Sequence, residues 1–319
     1  MNLIEEAVII EIFGIRMYAF GVYIALGALL AFAVLTVASH ALSLKKGTAP
    51  LTALLSSVCG MLLSRLCFCL LNRELGRMTP VSFWLQLNGG GWSMFGLIAG
   101  VFLGGWISAR MMREKTGAVM DVLSLSILPL IAAERIGESR IEDFDISRPL
   151  DNPFLAGSFL AVGEDEPCLA TYYVAAAAAV LLLVVFVFRF TRIGKEGNLA
   201  VMFLLLFGAS SIITESLRYD RFLSISFVGL QQVAAALMLA LGVAFAFLRS
   251  KNKRPGLAAA SVISLTVMVG AVIGLEFALD RTKWNKILIY ILMIAFVAFP
   301  VWLGLKMLKG GKEGSVARG

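Results

Sequence analysis

Long continuous apolar runs, separated by short polar connections, set the pattern of this chain. Nine can be read, at residues 18–38, 50–71, 91–110, 119–133, 171–188, 199–213, 222–248, 257–277 and 287–305. Most reach the roughly 20 residues that a helical membrane span needs. The runs at 119–133 and 199–213 are short and end in charge, which predicts spans that open into a polar cavity. Apolar residues follow one another without the alternation of a β-barrel strand. The predicted fold is therefore an all-α polytopic membrane protein, a helical bundle of about nine transmembrane spans.

Composition supports this. The chain is 59% hydrophobic and 15% charged, against roughly 45–50% and 25% for a soluble domain. In such a protein the net charge of +7 concerns where charges lie rather than nucleic acid, and no nucleic-acid partner is expected. Basic residues collect in alternate connections: Lys45 and Lys46; Arg110, Arg113 and Lys115; Arg189, Arg192 and Lys195; Arg249, Lys251, Lys253 and Arg254; and Lys306, Lys309, Lys312 and Arg318 in the tail. By the positive-inside rule the N-terminus is expected outside and the C-terminus in the cytoplasm. The long connection at 135–170 then lies outside, and it is acidic, with Glu142, Asp143, Asp145, Asp151, Glu164, Asp165 and Glu166. Glu5, Glu6 and Glu11 stand where a signal peptide would be basic, so none is expected. Cys59, Cys67, Cys69 and Cys168 lack zinc-site spacing and His40 is the only histidine. They are read as packing residues, with no metal and no cofactor expected.

Candidate chemistry lies where the apolar pattern breaks. Residues 134–143 place Arg135 and Arg140 among Glu134, Glu138, Glu142 and Asp143, directly after an apolar run. Charges this close to a bilayer core cost about 2.5–3.5 kcal/mol each on insertion scales, so they need partners or a polar ligand. Arg65 sits within the second run. It could snorkel to the headgroups or clamp a phosphate with its planar fork. Gly89, Gly90 and Gly91, followed by Trp92 and Ser93, open the third run and offer backbone N–H groups as an anion seat. Gly96, Gly100, Gly104 and Gly105 are better read as close packing. Arg16 and Tyr18 precede the first span, and Glu215, Arg218 and Asp220 follow the sixth. Glu215 and Arg218, spaced i, i+3, could equally pair with each other. Together these residues describe an outward-facing polar cavity whose natural ligand is a phospholipid headgroup.

The order of the motifs resembles the prolipoprotein diacylglyceryl transferase family from about Ile12 to Leu241. Ile15-Arg16-Met17-Tyr18 is similar to the family's Ile-Arg-Trp-Tyr, and Ser64-Arg65-Leu66 to its Ala-Arg-Leu. Gly90-Gly91-Trp92-Ser93-Met94-Phe95-Gly96 resembles Gly-Gly-Met-Ser-Phe-His-Gly. Asp121 precedes Arg135 at the family's spacing. Arg135-Ile136-Gly137-Glu138-Ser139-Arg140-Ile141-Glu142-Asp143 is similar to Arg-Ile-Gly-Asn-Phe-Ile-Asn-Gly-Glu. The stretch from Leu206 to Asp220, with Glu215 and Arg218, resembles Leu-Tyr-Gly-x-x-Arg-Phe-x-x-Glu-Phe-x-Arg-x-Asp. The chain departs from the pattern at Phe95, where the family has histidine. It departs again at Ser211, where the family has arginine, and at Glu138 and Ile141, where it has asparagines.

The resemblance implies a multi-pass transferase of the bacterial cytoplasmic membrane. Such an enzyme moves the diacylglyceryl group of phosphatidylglycerol to the thiol of a lipobox cysteine in a prolipoprotein signal peptide. Membrane lipids would be its other contacts. On this basis residues 1–254 form the transferase-like domain holding the first seven spans, and 255–319 add two plain hydrophobic spans with a basic tail. Catalytic residues would be Arg135, Glu138, Asp143 and Glu215. Phospholipid-binding residues would be Tyr18, Arg65, Gly90, Gly91, Ser93, Arg135 and Arg218. With the imidazole gone, Glu138 is the expected base. Two other readings stay open: a paralogue that binds phospholipid or lipoprotein without turnover, and a small transporter, since intramembrane charge also marks ion paths.

Overall fold

The computed structural model describes residues 8–12, 15–71, 91–141, 146–150, 156–163, 167–192, 194–219, 224–225, 228–251, 253–282 and 284–309. Among them, nine helices are long and apolar enough to cross a membrane. They are α1 (Ala19–Ala41), α2 (Thr48–Leu71), α3 (Met94–Met112), α4 (Thr116–Gly137), α5 (Thr171–Phe190), α6 (Asn198–Leu217), α7 (Leu230–Arg249), α8 (Pro255–Arg281) and α9 (Lys286–Lys309). Short antiparallel strands decorate the connections. The strand Val8–Ile12 pairs with Ile15–Tyr18, Cys168–Ala170 pairs with both Ile146–Pro149 and Ala161–Val162, and Ser224–Ile225 pairs with Val228–Gly229. The chain divides into two compact units, Met1–Thr191 and Arg192–Gly319.

The two runs expected to be short are full-length helices. α4 and α6 continue past the ends of the continuous apolar runs and carry Arg135 and Glu215 inside their final turns. A helix in lipid has no reason to stop where its apolar side chains stop, because its backbone groups still need partners.

In the first unit α4 is the core. It is buried on every face, the polar residues Asp121, Ser124 and Ser126 included, and it packs against α1, α3 and α5. Gly27 of α1 faces Ala133 and Leu130 of α4, and Gly137 of α4 faces Tyr23 and Phe20 of α1.

The tightest pair is α2 with α3. Gly96, Gly100 and Gly104 form a stripe on α3 that lies directly on the α2 backbone. A Cβ at Gly96 would come within 2.7 Å of Leu63 O, and one at Gly104 within 2.5 Å of Leu55 O. Without a hydrophobic driving force between helices in lipid, such small-residue contacts supply the attraction. Polar ties run along the same seam. Thr52 Oγ1 and Ser108 Oγ are 2.7 Å apart, Ser56 Oγ donates to Val101 O at 2.9 Å, and Ser64 Oγ donates to Ser93 O at 2.8 Å. This seam fixes where Arg65 of α2 meets the start of α3.

In the second unit α6 and α7 pack through Gly208 and Gly242, each of which meets the partner's backbone. α9 packs on α6 and α7, and α8 on α7 and α9. Pro255 opens α8 in its first turn, where a missing N–H costs nothing.

Candidate functional site

Arg135 stands in the last turn of α4, and Glu138 follows in a 3-10 turn, Glu138–Arg140. Helical spacing of i, i+3 brings the two side chains onto one face. Arg135 Nη1 donates to Glu138 Oε1 at 2.9 Å and to Oε2 at 3.1 Å, while Nε lies 3.5 Å from Glu134 Oε2. Both Arg135 and Glu138 are buried, at 5% and 4% exposure. The other guanidinium edge, Nη2, contacts Met94 Sδ at 3.2 Å.

Arg65, also 5% exposed, reaches the start of α3. Its Nη1 donates to Gly91 O at 2.8 Å. The guanidinium carbon lies 5.8 Å from the Phe68 ring centre and 5.7 Å from that of Trp92, within cation–π range. The charge is therefore buried among aromatic faces and does not snorkel. Gly91 has φ of +78°, a left-handed conformation that glycine adopts without strain. A Cβ there would run into the Phe68 ring and come within 2.9 Å of Arg65 Nη1.

Ser93 is the N-cap of α3, with its hydroxyl accepting from Gly96 N at 3.3 Å, which satisfies one of the helix's orphan donors. Of the glycine run, Gly91 is described, and its carbonyl accepts from Arg65; Gly89 and Gly90 lie outside the described residues. Met94 continues this short stretch to Arg135, so Arg65 and Arg135 meet the same turn of chain from two helices.

Tyr18 occupies the N-cap position of α1 and is 39% exposed. Gly90 and Asp143 lie outside the described residues.

In the second unit Arg218 follows α6 and turns back on it. Its Nη1 donates to both oxygens of Glu215 at 3.0 Å and to Gln231 Oε1 of α7 at 3.3 Å. Arg218 and Glu215 are both buried. Next to Gln231, Gln232 donates from Nε2 to Glu276 Oε1 of α8 at 2.8 Å and to Ile212 O of α6 at 3.4 Å. Glu276 is 1% exposed. Gln231, Gln232 and Glu276 are not among the residues expected from the sequence, and Glu276 makes the eighth span less plain than its apolar pattern implies. An acid inside an apolar span is itself a functional signal, and Glu276 was the residue to notice.

No group of histidine, cysteine or acidic side chains among the described residues could hold a metal ion. Ser211, where the resembled pattern has arginine, is buried on α6.

Buried arginine–carboxylate pairs set among membrane-spanning helices define a multi-pass membrane protein with charged centres held inside its spans. The family model described as prolipoprotein diacylglyceryl transferase matches residues 7–248. The chain belongs to that family, a transferase family of lipoprotein biosynthesis. No curated protein matches the chain.

Proposed function

We propose that the chain transfers the diacylglyceryl group of phosphatidylglycerol to the lipobox cysteine of prolipoproteins in a bacterial cytoplasmic membrane. The observation that carries this is the buried Arg135–Glu138 pair within the stretch the family model matches. Arg135 and Arg65 grip the lipid phosphate, with Ser93 and Gly91 beside them, and Gly90 is a further candidate for phospholipid binding. A phosphate competes with Glu138 for the Arg135 guanidinium, since both offer paired oxygens to the same fork. Displacement frees the Glu138 carboxylate to take the proton of the cysteine thiol. The thiolate then attacks the glyceryl carbon. A carbon–sulfur bond forms, the carbon–oxygen bond to phosphate breaks, and glycerol phosphate leaves with its charge stabilised by arginine. In the second unit Glu215 and Arg218 form a pair of the same kind; we assign phospholipid binding to Arg218 and keep Glu215 as a candidate catalytic residue.

A second reading rests on a specific observation. Glu138, which stands where the family pattern has asparagine, occupies Arg135 with both oxygens, and Phe95 supplies no imidazole. A protein so built binds phospholipid without turning it over. Expression in cells depleted of their own transferase separates the two. Conversion of prolipoprotein to the lipidated form supports transfer. Precursors that stay unlipidated beside well-folded protein that binds phosphatidylglycerol support binding alone.

A further inference from the structure

The hairpin of α8 and α9 lies beyond the residues the family model matches, yet its polar side chains reach the end of α6 that carries Glu215. Tyr290 of α9 donates from its hydroxyl to Ser216 O at 3.2 Å. Ser216 lies in the last turn of α6, where carbonyls have no intrahelical partner. In lipid such a carbonyl must find a donor within the protein. One turn earlier, Ile212 O accepts from Gln232 Nε2, which also donates to Glu276 of α8. Gln231, the residue before Gln232, accepts from Arg218. Glu276 thus holds Gln232, and the first turn of α7 carries both glutamines between Glu276 and Arg218.

We propose that the α8–α9 hairpin is a clamp that sets the pose of the Glu215–Arg218 pair, with Glu276 and Tyr290 as its positioning residues and Gln232 as the relay. This rests on the assignment of Arg218 to phospholipid binding. A bilayer anchor needs only apolar length. It has no use for a carboxylate 1% exposed, whose insertion costs several kcal/mol. The carboxylate acts as a hydrogen-bond acceptor for Gln232 rather than as a reacting group. An amide in its place can also accept from Gln232 Nε2, or donate to Gln232 Oε1, a buried atom with no hydrogen-bond partner among the described residues.

The test uses the full-length protein in nanodiscs and short-chain phosphatidylglycerol as the probe. Glu276→Ala and Tyr290→Phe are expected to weaken lipid affinity of the folded fraction by roughly 3- to 10-fold, the effect of one lost hydrogen bond. Glu276→Gln is expected to restore affinity to within about twofold, because the bond to Gln232 survives. Amide hydrogen exchange across residues 212–219 is expected to rise in the Glu276→Ala and Tyr290→Phe proteins alike and to stay at the native rate in Glu276→Gln. Lowered folded yield with unchanged affinity and unchanged exchange would overturn the clamp, as would a Glu276→Gln protein as impaired as Glu276→Ala. A native protein that does not bind the lipid at all defeats the phospholipid assignment instead. The exchange rates then decide the clamp by themselves: raised in Glu276→Ala and Tyr290→Phe supports it, unchanged refutes it.

Discussion

Arg65 and Arg135 converge on one short stretch of chain. The first donates to the carbonyl of Gly91 and the second touches the sulfur of Met94, from α2 and α4 respectively. Two buried cations are thereby referenced to the start of α3, which the glycine stripe holds against α2. Movement of that turn shifts both guanidinium groups.

Gly91→Ala tests the coupling. A Cβ on a residue with φ of +78° is strained, and it intrudes on Phe68 and on Arg65 Nη1. The expected loss is about 1–3 kcal/mol of stability, read by thermal unfolding in detergent. Phosphatidylglycerol affinity is expected to fall with it, since the Arg65 head has to move.

Replacing Arg135 alone strands a buried carboxylate. Arg135→Leu is expected to destabilise the protein by about 3–5 kcal/mol, whereas the double change Arg135→Leu with Glu138→Leu recovers much of that. Lipid binding is expected to be absent in both. Unfolding free energies of Arg135→Leu, Glu138→Leu and the double variant give the coupling energy.

Glu138→Gln separates grip from chemistry. With the competing charge gone, Arg135 is expected to hold a lipid phosphate at least as tightly as before. Turnover is expected to fall by roughly 10²- to 10⁴-fold, the usual contribution of a general base. Equilibrium binding of phosphatidylglycerol and lipidation of a lipobox peptide, measured on the same preparation, check both halves. Undiminished lipidation would assign the base elsewhere.

The α2–α3 seam has its own prediction. Gly100→Val places a branched side chain against the Cys59 and Gly60 backbone, where nothing flexible can yield. Overpacking by several heavy atoms is expected to cost about 3 kcal/mol or more, read as loss of folded protein. Gly256→Val, at a position with open space around its Cβ, is the control and is expected to leave the yield unchanged.

The spans were legible because hydrophobic length alone defines them, and each of the nine runs overlaps one of the nine helices. The run at 222–248 departs most: it includes the strands Ser224–Ile225 and Val228–Gly229, and its helix starts only at Leu230, because apolar residues alone do not separate a strand from a helix start. Their ends were harder to read. At α4 and α6 the apolar signal fades at charged residues while the helix continues, since hydrogen bonding and not side-chain polarity decides where a helix in lipid stops. The Glu215–Arg218 pairing was visible as a spacing. The bond from Arg65 to Gly91 was not, because a backbone carbonyl leaves no trace in residue type. Glu276 escaped for a further reason: one acid barely alters the average character of a long greasy segment. Its meaning lies in Gln232, on another helix.

The placement of counter-charges bears on how the chain enters a bilayer. Arg135 and Arg218 each have a glutamate three residues away as partner, so each segment brings its own counter-charge into the bilayer. α2 carries no acid anywhere along Thr48–Leu71, and Arg65 donates to a carbonyl on the segment that is synthesised next. The α2–α3 pair therefore carries within itself an acceptor for this buried guanidinium.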